Sequence, residues 1–183
     1  EISECLVGSE MCIRDSIKAA LRPDTILVST MFANNETGDL LPIIEIGEFL
    51  KDHPAAFHVD AVQAIGKVPV YPEELGIDFL SASAHKFHGP KGVGFLYATV
   101  PDFDNLLHGG DQESKMRAST ENLISIVGMA TALQQATLHQ EENFNQVQKL
   151  GQELVNGLAA YDYYVNANED HLPFVWNLSL IHI

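Results

Sequence analysis

Four short apolar runs, separated by helical or turn-rich stretches, constrain this chain more than anything else in it. Residues 26–31, 55–59, 79–83 and 94–98 have the composition and length of buried strands. Strands alternating with helices build βα units around a mostly parallel sheet. Pro42 suits the first turn of a helix after the first run, with Ile43, Ile46 and Leu50 on one face. In such sheets ligands sit outside the carboxyl ends of the strands. Asn35, Asp60 and Lys86 all fall at strand ends, so three polar side chains are expected to converge on one edge.

The third run opens onto Ser83-Ala84-His85-Lys86-Phe87-His88-Gly89-Pro90-Lys91-Gly92-Val93-Gly94. A lysine just after a buried strand, beside a histidine and a glycine-rich turn, is what Schiff-base chemistry needs. The amine must be partly desolvated to act as a nucleophile, and neighbours must hold a phosphorylated aldehyde against it. Asp60, at the end of an upstream strand, could pair with a pyridine nitrogen. Lysine and aspartate together point to pyridoxal phosphate. Lys91 is a rival lysine but lacks the preceding Ser-x-His. Gly89, Gly92 and Gly94 are expected to permit a tight turn and close backbone approach. His58, on the strand before Asp60, reads as structural. No Walker-type or dinucleotide glycine motif occurs.

With 183 residues, 46% of them hydrophobic and 19% charged, the chain can bury a real core and reads as a soluble globular domain. Its net charge of −15, without a Lys/Arg cluster, argues against nucleic acid or an anionic membrane as partner. No apolar run approaches the roughly 20 residues of a membrane span, and residues 1–16 lack the pattern of a secretory signal. A cytoplasmic location is expected. Cys5 and Cys12 offer neither a disulfide framework nor metal spacing, so no metal site is expected.

From about Thr120 the pattern turns helical. Leu123, Ile126, Val127, Ala130 and Leu133 share one predicted face; after a polar break at 139–145, Val147, Leu150, Leu154 and Leu158 share another. Residues 161–178 then read as a loop and strand. Residues 1–16 and 180–183 resemble translated sequencing-adapter sequence, which would make both ends, and both cysteines, non-native. The expected organisation is a cofactor-binding large domain over 17–138 and a helix leading into a small domain over 139–179.

Four motifs carry a family resemblance: Asn34-Asn35-Glu36-Thr37-Gly38, the run from His58 to Lys67, the run from Ser83 to Gly92, and His108-Gly109-Gly110-Asp111-Gln112-Glu113 with Met116-Arg117-Ala118-Ser119-Thr120-Glu121-Asn122. In this order they resemble the cysteine desulfurases, NifS/IscS-like members of the class V aminotransferases. The resemblance implies a fold-type I pyridoxal phosphate enzyme, an α/β protein whose large domain is a three-layer α/β/α sandwich around a mostly parallel sheet, here partial. It implies pyridoxal 5'-phosphate as cofactor, L-cysteine as substrate, L-alanine and an enzyme persulfide as products, and sulfur-acceptor proteins in iron–sulfur cluster assembly or tRNA thiolation as partners.

By the same resemblance Lys86 forms the Schiff base and shuttles protons at the substrate α-carbon, and Asp60 holds a proton on the pyridine nitrogen. Gln63 hydrogen-bonds the phenolic oxygen, and Ser83 and His85 hold the phosphate. Asn35 lies near the phenolic oxygen and the substrate carboxylate, unless its segment merely forms a turn. Thr120 reaches the phosphate of a neighbouring subunit, implying a homodimer with a shared active site; it could also cap a helix beginning at Glu121.

The family's catalytic cysteine loop and substrate-binding arginine lie C-terminal to the matched region, and its phosphate-binding threonine and ring-stacking histidine lie upstream. None has a counterpart here. Arg117 matches the arginine beside Thr120, not the carboxylate clamp. The chain is thus expected to be an internal fragment, unable by itself to desulfurate cysteine. Two other readings stay open: another class V enzyme, such as a selenocysteine lyase or aminotransferase, and a non-catalytic scaffold on the same fold.

Overall fold

The computed structural model describes residues 10–99, 103–168 and 170–180. Cys5 and residues 181–183 lie outside them, and the expected boundary at Ser16 falls within the first helix, α1 (Glu10–Ala20). Then come β1 (Leu27–Met31), α2 (Ile43–Leu50), β2 (Ala56–Asp60), β3 (Phe79–Ser83) and β4 (Gly94–Ala98). Two longer helices, α3 (Leu123–Leu138) and α4 (Gln140–Gly157), precede a small antiparallel pair, β5 (Tyr163–Val165) and β6 (Leu178–Leu180).

The main sheet has the order β1-β2-β3-β4, with β1, β2 and β3 parallel and β4 antiparallel at the edge. Connection length decides this. Parallel neighbours need a long crossover, which 32–55 and 61–78 supply, whereas the short segment 84–93 can only reverse the chain. Sheet and helices make a partial α/β fold with a mostly parallel sheet, as expected.

Side-chain alternation fixes what each face carries. Phe57 and Val59 of β2, with Leu80 and Ala82 of β3, are buried in a cluster with Ile43, Ile46 and Leu50 of α2. Their neighbours His58, Asp60, Ser81 and Ser83 therefore project from the opposite face, where they are only half-buried. There His58 bridges three strands: Nδ1 lies 2.7 Å from Ser29 Oγ and Nε2 lies 3.3 Å from Ser81 Oγ. One ring nitrogen donates and the other accepts, and a hydroxyl can answer either. The imidazole is satisfied within the sheet, in agreement with a structural role. His58→Leu is expected to cost about 0.5–1.5 kcal/mol by removing the two hydrogen bonds that tie β1 and β3 to β2. Urea denaturation measures it; an unchanged midpoint would show the bridge to be idle.

The helical half departs from the expected pattern in three ways. His139 alone separates α3 from α4, instead of a break over 139–145. Glu141 and Glu142 occupy the first turn of α4, where carboxylates favour the helix N-terminus, so the polar run starts a helix. In α3 the packed residues are Met129, Ala132, Leu133 and Ala136, while Leu123 and Val127 are 67% and 64% exposed and Ala130 also faces outward. Apolar residues surround α3, so periodicity alone could not choose a side. In α4, Val147 and Leu158 are half-buried but Leu150 and Leu154 are exposed, because Gly151 forms a notch under the Trp176 ring.

Candidate active site

The pairing of β2 with β3 assembles the site. Register places Asp60 opposite Met31 on one side and Ser81 on the other. Ser83 lies two residues beyond Ser81, hence on the same face. A short 3-10 turn, Ala84–Phe87, follows at once and carries His85 and Lys86. Its apolar residues, Ala84 and Phe87, are buried, so the turn is anchored while its polar residues face outward. His88 closes it in the left-handed region at φ 68°. α3 packs against this turn.

The glycines behave as expected of a crowded turn. Gly92 has φ +79°, and a Cβ at Gly89 would meet Ala84 Cβ at 2.9 Å. At Gly94, paired with Ser83, a Cβ would collide with the Ala82 carbonyl oxygen. Backbone cannot yield there without opening the β3–β4 ladder. Gly94→Ala is expected to destabilise the fold by about 2–3 kcal/mol, read as a lower denaturation midpoint; no change would mean the ladder is looser than its geometry.

Each polar side chain has a definite setting. Lys86 is half-buried, and its amine has no hydrogen-bond partner among the described residues. Asp60 Oδ1 accepts from the Val62 amide at 2.9 Å, which orients the carboxylate and leaves its second oxygen available. Ser83 Oγ and His85 Nδ1 are 3.1 Å apart, so one donates to the other and, with a neutral ring, the pair keeps one further donor on this loop. Gln63 is 6% exposed, and its Oε1 accepts from Lys67 Nζ at 2.7 Å. Burial, and secondarily the Lys86 ammonium, hold the Lys67 amine below the ordinary lysine value. Sequence reasoning gave Lys67 no role. Its signal was the four-residue spacing from Gln63 on a helical turn.

Two predicted residues are exposed. Asn35 is exposed in the loop after β1. The turn there is made by Asn34, whose Oδ1 accepts from the amides of Glu36 and Thr37, so turn formation does not occupy Asn35. Thr120 is also exposed, and it does not cap a helix beginning at Glu121. α3 begins at Leu123, and Asn122 caps it through the Ser125 amide. Asparagine is as good a cap as threonine, and two residues nearer the helix. Arg117 donates to the Ala118 carbonyl.

An amine, a carboxylate, a buried amide whose N–H groups have no partner among the described residues and a hydroxyl–imidazole pair fit a phosphorylated pyridine aldehyde. A separate hollow of about 370 Å³, between Phe32, Pro42, Tyr71 and Leu75, does not. Its charged lining is Glu45, Glu74 and Asp170, which would repel a phosphate.

Comparison with known proteins shows the family. The family described as Aminotransferase class-V matches residues 8–182. A curated relative, "Cysteine desulfurase IscS" of Methanosarcina thermophila, is 52% identical over 145 residues, covering 79% of this chain and 36% of the relative. A solved structure titled "NIFS-LIKE PROTEIN" superposes with TM-score 0.84 at 40% identity, over 87% of this chain and 45% of that one. Another, "SspA in complex with cysteine", gives TM-score 0.80 at 32% identity, over 92% and 47%. The chain spans less than half the length of these relatives.

Proposed function

Because this chain belongs to the aminotransferase class-V family, we propose that it is the cofactor-holding segment of a pyridoxal-phosphate-dependent cysteine desulfurase. The parent enzyme would convert L-cysteine to L-alanine and pass the sulfur to an enzyme thiol supplied outside this segment. One observation carries the reading: Lys86, half-buried and without a hydrogen-bond partner among the described residues, lies on the turn leaving β3, beside the strand that ends in Asp60. Cysteine as substrate is supported by the relatives' names and by the cysteine complex of one structural neighbour.

Bound pyridoxal phosphate supplies an electron sink for the bonds at the substrate α-carbon. The protein's residues do the rest. Asp60 holds a proton at the pyridine nitrogen through its uncommitted oxygen. Gln63 donates an N–H to the phenolic oxygen. Ser83 and His85 grip the phosphate and so fix the ring's orientation. Lys86 anchors the aldehyde carbon and carries a proton to and from the substrate α-carbon. Asn35 orients the substrate carboxylate, and Thr120 reaches the phosphate held by a second copy, so the enzyme works as a homodimer. The large domain covers 17–138, and 139–179 leads into the small one. Acceptors are proteins of iron–sulfur cluster assembly or tRNA thiolation, in the cytoplasm.

The test uses the enzyme expressed from the complete reading frame and loaded with pyridoxal phosphate. Borohydride reduction followed by peptide mapping should place the label on Lys86, and L-cysteine with a thiol reductant should release sulfide and alanine in equal amounts. Label elsewhere overturns the site; label on Lys86 without sulfide overturns the desulfurase.

A further inference from the structure

The orientation of the Gln63 amide follows from chemistry. An ammonium can only donate, so the atom facing Lys67 Nζ at 2.7 Å must be the amide oxygen. Both hydrogens of Nε2 are thereby left for something else, in a side chain that is 6% exposed. Lys67 is itself held. Its backbone amide donates to the Ala64 carbonyl at 2.9 Å, and its ammonium lies 5.6 Å from the centre of the Phe174 ring. Phe174 meets Phe144 of α4 edge-on at 5.9 Å. A chain of contacts thus runs from α4 through Phe174 and Lys67 to Gln63.

Placing a cation there is costly. Burial and the like charge of Lys86 both disfavour the Lys67 ammonium, and its hydrogen-bond partner is a neutral amide rather than a carboxylate. Gln63 without Lys67 could turn either end of its amide toward a ligand. Only one end suits an ionised phenol, which accepts hydrogen bonds and repels a carbonyl oxygen.

We propose that Lys67 is a positioning residue that pins the Gln63 amide, so that Nε2 rather than Oε1 meets the phenolic oxygen of the cofactor. The inference rests on the pyridoxal phosphate reading above. The charged group that acts on Lys67 is Lys86, on the 3-10 turn, and Asp60 and His85 are the other titratable groups of the proposed cofactor site; Gln63 and Phe174 are neutral.

The experiment follows the visible absorption of the bound cofactor against pH in the full-length holoenzyme and four variants: K67M, K67R, Q63L and K67M/Q63L. K67M is expected to raise the pH midpoint by about one unit, since an unpinned Gln63 amide no longer presents Nε2 steadily and the phenolate loses a donor. K67R, which keeps a donor, should stay near the wild type. In the Q63L background K67M should add little, because the lysine acts through the glutamine. An equal shift in both backgrounds, a K67R shift as large as that of K67M, or no shift in K67M overturns the proposal. K67A enters the same comparison if K67M fails to fold. Failure of the wild type to bind pyridoxal phosphate would instead defeat the underlying reading.

Discussion

Lys86→Ala in the full-length holoenzyme is expected to reduce sulfide release by at least ~10³-fold, because one side chain has two duties. General acid–base transfer alone contributes about 10²–10⁴-fold, and covalent anchoring of the cofactor is lost as well. The two losses are not independent, so the larger sets the floor. Stability of the cofactor-free protein should barely move, within about 0.5 kcal/mol, since the amine makes no hydrogen bond among the described residues. Lys86→Arg should fail equally, for a guanidinium keeps its proton and cannot act as nucleophile or base. Lys91→Ala is the discriminating control. That lysine is exposed five residues further on, outside the 3-10 turn, and its loss should leave turnover unchanged. Sulfide release, with cofactor absorbance to check loading, reads all three. A Lys86→Ala enzyme within tenfold of wild type, or a Lys91→Ala enzyme that is dead, would move the chemistry to the other lysine.

Strand positions were legible because period-two burial and turn residues are local properties. The expected runs 79–83 and 94–98 coincide with β3 and β4, 26–31 starts one residue before β1, and 55–59 is shifted by one residue at both ends from β2. The strand-end places of Asp60 and of Lys86, just beyond β3, were legible too, since parallel strands deliver their last residues to one edge; Asn35, the third expected there, is exposed in the loop after β1. What pairs with what across strands was not. The Asp60–Ser81 register and the His58 bridge depend on contacts between distant segments. The outward side of α3 escaped prediction because the helix is apolar all round, and Gly151 misled the α4 pattern because a notch carries no hydrophobic signal. Asn34 and Asn35 look interchangeable in sequence, yet only one turns back to cap its loop. Lys67 was overlooked for a similar reason: a lysine three residues beyond a buried alanine reads as surface until the amide beneath it is located.

Asp60→Asn separates charge from geometry at the other end of the ring. The asparagine oxygen can keep the hydrogen bond from the Val62 amide, so folding should change by no more than about 0.5 kcal/mol. The negative charge is lost, however, and with it the force that keeps a proton on the pyridine nitrogen. An opposite charge at hydrogen-bond distance typically shifts a titrating partner by about 1–3 units, roughly 1.4–4 kcal/mol. If that energy is expressed in the electron demand of the ring, turnover should fall about 10- to 10³-fold. Asp60→Ala should lose the same activity and also about 1 kcal/mol of stability, from the Val62 amide left without its acceptor. The pair of variants is therefore read on two axes. Rate should fall in both, and the denaturation midpoint should fall only in the alanine variant. An Asp60→Asn enzyme with wild-type turnover would reduce Asp60 to a backbone cap at the end of β2 and leave the pyridine nitrogen to another partner.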